Sequence, residues 1–152
     1  MRRTLLLALS VVLLFAFASS AEARVVVNRS IAGISPGLTP KQVRARLGRP
    51  GRVNRAGRAI IGYHYDAPRL KLFVSFALRT HRADAVGTSS GRQRTGRRIG
   101  IGSRRGAVRR SYRVRCTRYS CTTRPSRSGT TTSFNFSNGR VSGIGLGNSR
   151  FD

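Results

Sequence analysis

Residues 39–47 specify a short helix from end to end. Thr39 is the expected N-cap, and Pro40 occupies the first helical position, where its missing N–H is not needed. Gln42 completes a capping box with Thr39, and Gly48 ends the helix. A helix of about two turns is too short to be stable alone. The fold must therefore supply another element for it to pack against.

The partner of this helix is predicted to be an antiparallel sheet. Apolar and polar residues alternate over residues 70–76, and residues 59–65 show a similar pattern. A period of two indicates strands that are buried on one face. Residues 84–89 predict a weaker third strand.

The second half of the chain reproduces the spacing of the helix. Val43 and Leu47 recur at one constant offset as Val108 and Tyr112. This register predicts a second helix over residues 103–112. Elements that recur in the same order are typical of a tandem repeat.

Two strands are predicted to follow the second helix, over residues 130–137 and 140–146. Asn138 and Gly139 between them form a strong signal for a two-residue hairpin turn. The glycine-rich second strand is expected to lie at an exposed edge of the sheet. Unpaired backbone groups at such an edge would allow self-association.

These patterns together predict an α+β fold. It consists of two tandem repeats, each a short helix packed on an antiparallel hairpin or three-stranded sheet. The first repeat covers residues 24–90 and the second covers residues 99–152. Residues 91–98, which lack large apolar side chains, are interpreted as a polar linker between them.

Residues 1–23 have the pattern of a cleavable secretory signal peptide. Two arginines precede an almost unbroken apolar run over residues 5–18, and Ala21 and Ala23 have the spacing that signal peptidase accepts. The apolar run is shorter than the ~20 residues of a membrane span. We therefore expect cleavage near Ala23, a secreted or cell-envelope location, and no transmembrane segment after cleavage.

Cys116 and Cys121 are the only cysteines in the chain. In an exported protein, an even pair predicts a disulfide. The alternatives are a redox pair or a metal pair. The spacing differs from the redox motif, and no further cysteines or clustered histidines complete a zinc site. We expect no metal or other cofactor.

The chain is strongly basic, with 30 lysines and arginines against 4 acidic residues and a net charge of +26. Such a charge favours polyanionic partners, which include wall polymers, anionic lipids and nucleic acid. Export argues against nucleic acid. The alternative is codon bias, because only Lys41 and Lys71 are lysines and every other basic residue is arginine.

The first helix also matches a motif of known families, and the matching positions are Gly37, Leu38, Thr39, Val43, Leu47, Gly48 and Pro50. This motif resembles the helix motif of the SmpA/OmlA small envelope lipoproteins. It is also similar to the repeated unit of the tandem-repeat β-lactamase-inhibitor-protein-like fold, with a weaker second copy over residues 102–112. The resemblance implies exported bacterial α+β domains that make protein–protein contacts rather than catalyse reactions.

We therefore predict an exported, non-enzymatic envelope or extracellular binding protein that acts as a protein–protein interaction module. Its partner would be an envelope or extracellular protein, or an anionic wall polymer. The contact surface is predicted on the sheet face opposite the helices. By strand alternation, that face carries His64, Lys71, Phe73, Ser75 and Asn135. Phe73 has the alternative interpretation of ordinary core packing.

Two other functions compete with this prediction. The first is a cationic protein that binds polyanions through charge alone, which would weaken steeply with salt. The second is a small secreted hydrolase that uses His64 and His81, the only histidines. No nucleophile motif in the sequence supports the hydrolase.

Overall fold

The protein is mostly β-structure. The computed structural model describes residues 24–67 and 70–148, so the predicted signal peptide lies outside the described residues. Within these ranges, 46% of the residues are in strands and 12% are in helices. No helix among them is long and apolar enough to cross a membrane.

The described residues form two sheets and two short helices. In chain order the elements are β1 (Arg24–Val26), β2 (Ser30–Ile31), α1 (Pro40–Leu47), β3 (Arg52–Ala56), β4 (Ala59–Tyr65), β5 (Leu72–Phe76), β6 (Ala83–Thr88), β7 (Arg94–Thr95), α2 (Arg105–Ser111), β8 (Val114–Cys116), β9 (Ser120–Thr123), β10 (Thr130–Ser137) and β11 (Arg140–Asn148). The larger sheet has the strand order β3-β4-β5-β6-β11-β10-β9-β8, with every neighbouring pair antiparallel. The smaller sheet has the order β2-β1-β7, and β1 and β7 run parallel.

The predicted α+β class, with two helix-on-hairpin repeats, is wrong. Strand β6 pairs directly with β11, so the strands that follow α1 and those that follow α2 form one continuous eight-stranded sheet. The sequence patterns missed the outer strands because these carry few apolar residues. All five residues of β3 are exposed, and β9 consists of serine, cysteine and threonine. Strands of this kind lack the alternation that identifies a half-buried strand.

The two helices differ in how they begin. The capping box of α1 is confirmed: the Thr39 side chain accepts a hydrogen bond from the Gln42 N–H at 3.3 Å, and Gln42 Oε1 accepts one from the Thr39 N–H at 2.9 Å. Gly48 follows with a left-handed φ of 78°. Helix α2 is shorter than the predicted residues 103–112, and Arg104 at its N-cap makes no side-chain capping bond.

The central strands lie close to their predicted positions. Strands β4 and β10 have the predicted bounds, and β5 and β6 overlap the predicted segments. The turn between β10 and β11 is confirmed, since Asn138 and Gly139 have left-handed φ values of 51° and 73°. Strand β11 extends to Asn148 and lies between β6 and β10, so the predicted exposed edge is wrong. The edges of the larger sheet are β3 and β8.

Only one face of the larger sheet is covered. The side chains that alternate onto this face join one buried cluster with residues of both helices and of the smaller sheet, including Val25, Ile31, Val43, Tyr63, Val74, Val86, Val108, Phe134, Ile144 and Leu146. This face therefore forms the hydrophobic core. The opposite face has no layer of described residues over it.

The disulfide between Cys116 and Cys121 is confirmed. The two cysteines are direct cross-strand partners in the β8–β9 hairpin, at the edge of the larger sheet. A disulfide that closes so short a loop contributes about 2 kcal/mol to stability in the chain-entropy estimate. The disulfide therefore stabilises an edge hairpin that few apolar side chains hold in place.

Tyr65 connects the end of α1 to the sheet and makes stability depend on pH. Its hydroxyl donates a hydrogen bond to the Gly48 carbonyl oxygen at 3.3 Å. Burial, with a smaller contribution from Tyr63, raises the pKa of Tyr65 from 10.0 to about 12, while Arg44 opposes this shift. The folded state therefore holds the proton more tightly than the unfolded state. This stabilisation is complete below pH 10 and is lost as the pH rises towards 12.

Tyr65→Phe should remove this dependence. Between pH 8 and pH 11, the unfolding free energy of the wild type should fall by about 1.4 kcal/mol more than that of the variant. Urea unfolding at the two pH values measures the difference. An equal fall in both proteins would contradict the raised pKa.

Candidate binding face

The face of the larger sheet that points away from the helices is the candidate binding surface, and we call it the open face. Its exposed and half-buried residues are Arg52, Asn54, His64, Phe73, Ser75, Ala85, Gly87, Arg115, Ser120, Thr122, Thr131, Ser133, Asn135, Gly143, Gly145 and Gly147. Gly62 lies on the same face and is buried against the Phe73 ring. Because no layer of the described residues covers this face, it forms a broad, accessible surface.

An aromatic pair stands on one side of the open face. The rings of His64 and Phe73 lie on neighbouring strands with centroids 4.7 Å apart, and Phe73 is 37% exposed. His64 Nδ1 lies 3.3 Å from Arg52 Nη2, and Nε2 lies 3.1 Å from the Asn54 amide. Because a guanidinium can only donate, Nδ1 is the acceptor of the first contact. The Arg52 contact from β3 holds the His64 ring in place beside Phe73.

Glycines form the centre of the open face. Gly87 of β6 and Gly143, Gly145 and Gly147 of β11 all lie there. None has a left-handed φ, and a Cβ at any of them would meet no atom closer than 3.8 Å. The backbone conformation and the internal packing therefore do not require glycine at these positions. Their effect is a flat backbone floor that another molecule can approach closely.

The structure places four of the five predicted contact residues on the open face. His64 and Phe73 are direct cross-strand partners, and Ser75 is next on the same face of β5, where its hydroxyl donates to the Asp84 carboxylate. Asn135 lies on the same face but on β10. Two strands separate β5 from β10, so Asn135 is roughly 15 Å from Phe73. The structure therefore does not bring Asn135 next to the other predicted residues.

Lys71 lies just before β5 rather than in it, with a left-handed φ of 33°. It borders a shallow depression of about 520 Å³ at one end of the open face, lined by His64, Asp66, Lys71, Leu72, Phe73, Gly87, Thr88 and Ser89. The depression combines a cation, a carboxylate, hydroxyls and an exposed aromatic ring. This combination suits recognition of a polar or charged side chain of a partner.

The depression does not contain the paired histidines that the hydrolase alternative requires. Both ring nitrogens of His64 contact Arg52 and Asn54, and His81 lies in the turn between β5 and β6, outside the depression. Residues 24–67 and 70–148 contain no group of three potential metal ligands.

Charge on the open face is mainly positive. Arg52, Arg115 and Lys71 lie on it or border it. Among the described residues the only carboxylates are Asp66 and Asp84, and Asp84 already accepts from the Ser75 hydroxyl and from the Ala85 N–H. The face therefore favours an acidic partner.

Sequence reasoning missed the contributions of β3 and of the glycine floor. Arg52 and Asn54 belong to a polar strand with no alternating pattern. The glycines did leave a signal, because Gly143, Gly145 and Gly147 occupy every second position and must share one face of a strand. Glycine at every second position of β11 predicts a sheet face without side chains once β11 is known to lie between two other strands.

No protein-family model matches the chain, and no curated protein does. Among solved structures, an extracellular protein containing an SCP domain from Bacillus anthracis str. Ames is 9% identical with a TM-score of 0.49, and the match covers 74% of this chain and 44% of that chain. A DUF4309 family protein (YjgB) from Bacillus subtilis subsp. subtilis str. 168 is 13% identical with a TM-score of 0.49, covering 73% of this chain and 78% of that one. This chain thus spans less than half of the first protein. Similarity at this level carries no argument about function.

Proposed function

We propose that the protein is an exported, non-enzymatic binding module that uses the open face to bind an acidic protein partner. The observation that carries the proposal is the large sheet face that no layer of the described residues covers. Phe73, exposed on that face, stands beside a glycine floor that the fold itself does not require. Aromatic anchors that become buried on association supply much of the binding free energy in protein interfaces.

Two features of the sequence support an exported protein that acts through protein contacts. The signal-peptide pattern of residues 1–23 directs the chain out of the cytoplasm. The resemblance of the α1 motif to small envelope proteins implies protein contacts rather than catalysis. An acidic partner follows from the charge of the face, and rim charges of this kind accelerate association and select the partner.

The test removes the exposed aromatic ring and the neighbouring cation together. Immobilised Lys71→Ala/Phe73→Ala protein should recover at least about tenfold less of the specific partner from a native envelope or extracellular extract, because a buried aromatic anchor is typically worth 2 kcal/mol or more. Quantitative mass spectrometry of the captured proteins measures this. The matched control is Arg118→Ala/Tyr119→Ala, which also removes one cation and one exposed aromatic ring, from the β8–β9 turn.

Recovery of the same partner at the same level by the Lys71→Ala/Phe73→Ala protein would exclude the open face as the binding surface. An equal loss of capture in both double variants would indicate non-specific electrostatic and hydrophobic adsorption instead of binding by the open face. The control therefore separates a specific face from the basic composition of the chain.

General polyanion binding is the second candidate function. It is favoured by the large excess of arginine over the two described carboxylates. Capture at 50 mM and 200 mM salt distinguishes the two candidates. A polyanion complex should weaken by several orders of magnitude over this range, whereas a protein interface centred on Phe73 should weaken far less.

A further inference from the structure

A group of arginines lies at the edge of the larger sheet, apart from the aromatic pair and the glycine floor. Arg109, Arg113, Arg115 and Arg124 surround a depression of about 500 Å³, and we call them the edge arginine cluster. All four are exposed. Tyr112 and Val114, both half-buried, complete the lining.

The local fold brings these four side chains together. Helix α2 ends at Ser111 and carries Arg109 in its last turn, and the chain enters β8 directly afterwards. In the β8–β9 ladder, Val114 pairs with Thr123. Arg113 and Arg124 are the residues that flank this end of the ladder, and both line the depression. Arg115 lies within β8, pairs with Thr122 and also lines the depression.

The floor of the depression is held in place from within the protein. The Tyr112 ring is stacked on the fully buried Phe134, with centroids 5.7 Å apart. The Arg97 guanidinium lies 5.5 Å from the centre of the Tyr112 ring and is itself bonded to the Ser111 carbonyl oxygen. A floor fixed in this way keeps the shape of the depression, so the ordering cost of binding is confined to the exposed arginines around it.

The guanidinium groups of the cluster have no hydrogen-bond or ion-pair partner within residues 24–67 and 70–148. Elsewhere in the same range, Arg82 and Arg140 donate to the carbonyl oxygens of Gly37 and Gly102 at 2.9 and 3.0 Å. The carboxylates of the described residues do not line the depression either. Four like charges around one depression repel one another. An anion in the depression would relieve this repulsion.

We propose that the edge arginine cluster binds a phosphate-bearing anion. Guanidinium groups match the oxygens of phosphate in a bidentate geometry, and their charge does not depend on pH in the physiological range. A carboxylate brings a single negative charge, whereas a ligand of the pyrophosphate type brings several to meet four cations. Arg115 also lies on the open face, but β8 is five strands away from the β5 strand that carries Phe73. The proposal does not use Lys71 or Phe73, so it does not depend on the proposed function.

The direct test is titration of the protein with pyrophosphate by calorimetry at low salt. Arg113→Gln/Arg124→Gln should weaken binding at least tenfold, because it removes two of the converging guanidinium groups. The matched control is Arg55→Gln/Arg58→Gln, which removes the same charge from the β3–β4 hairpin at the opposite edge of the sheet. The control should bind within about twofold of the wild type. Circular dichroism of each variant checks that the fold is retained.

A second arm, vesicles that contain phosphatidylglycerol, separates the possible sources of the phosphate. Pyrophosphate binding that depends on Arg113 and Arg124 supports a free phosphate ligand. Dependence seen with vesicles alone supports a lipid headgroup. An equal loss in the two double variants would mean that net charge alone attracts the anion, and this result would overturn the site. So would binding of neither probe, which would leave the arginines as protection of an exposed sheet edge.

Discussion

Replacing Gly145 by valine is expected to reduce partner capture to background while the protein remains folded. Gly145 lies at the centre of the glycine floor, between Gly87 and Ser133 in the cross-strand register. A Cβ at this position would meet its nearest neighbour, the Val86 carbonyl oxygen, at 3.9 Å, an ordinary contact. Valine also favours the strand conformation more than glycine does. The variant should therefore be as stable as the wild type or up to about 1 kcal/mol more stable.

The loss of capture has a steric cause. A branched side chain at Gly145 would project from the floor and hold a flat partner away from Phe73 and the surrounding backbone. Capture from the extract tests the loss of binding, and thermal unfolding of the same preparation tests that the variant stays folded. Gly91→Val is the matched control, because Gly91 is exposed outside the open face and also has space for a Cβ. Normal capture by the Gly145→Val protein would contradict the use of this floor.

Replacing Gln93 by methionine is expected to raise the unfolding free energy by about 2 kcal/mol. The Gln93 side chain is fully buried, and neither polar atom of its amide has a hydrogen-bond partner among residues 24–67 and 70–148. A buried amide without partners forfeits its hydration without compensation, at about 1–3 kcal/mol. Methionine has a similar length and shape and carries no strong polar group. Urea unfolding of the two proteins at neutral pH measures the difference.

The direction of the change in unfolding free energy for Gln93→Met distinguishes an unpaired amide from a hydrogen-bonded one. A hydrogen-bonded amide would lose its bonds in the methionine variant, which would then be less stable than the wild type. The Gln93→Glu variant is the comparison that should lower the unfolding free energy instead of raising it. Burying a carboxyl group at the same position should destabilise the protein strongly, since the site offers no compensating contact.

The sequence predicted the elements that have a strong local signal. Thr39, Pro40 and Gln42 define the start of α1 through contacts within four residues, and the structure has the same contacts. Strands β4 and β10 have the predicted bounds: burial alternates over residues 130–134 of β10, and β4 ends with the alternating buried residues Tyr63 and Tyr65. Local chemistry of this kind is independent of the rest of the fold.

What the sequence did not reveal depends on pairing between distant segments. No local pattern indicates that β6 pairs with β11, and this pairing decides that the strands form one sheet. For the same reason, the sequence could not show which residues of the binding face lie next to each other. Alternation placed Phe73 and Asn135 on one face, but only the strand order shows that two strands lie between them. That Arg113 and Arg124 line one depression likewise depends on a hairpin without apolar alternation.

The β6–β11 pairing also has a consequence for how the chain reaches its native state. It joins Thr88 to Ile144 and Val86 to Leu146, segments far apart in sequence, whereas β3 to β6 and β8 to β11 connect through short turns. Local hairpins form within microseconds, but the closure of a long loop carries a larger entropic penalty. We therefore expect the two groups of four strands to form first, and their central seam to close last and limit the folding rate.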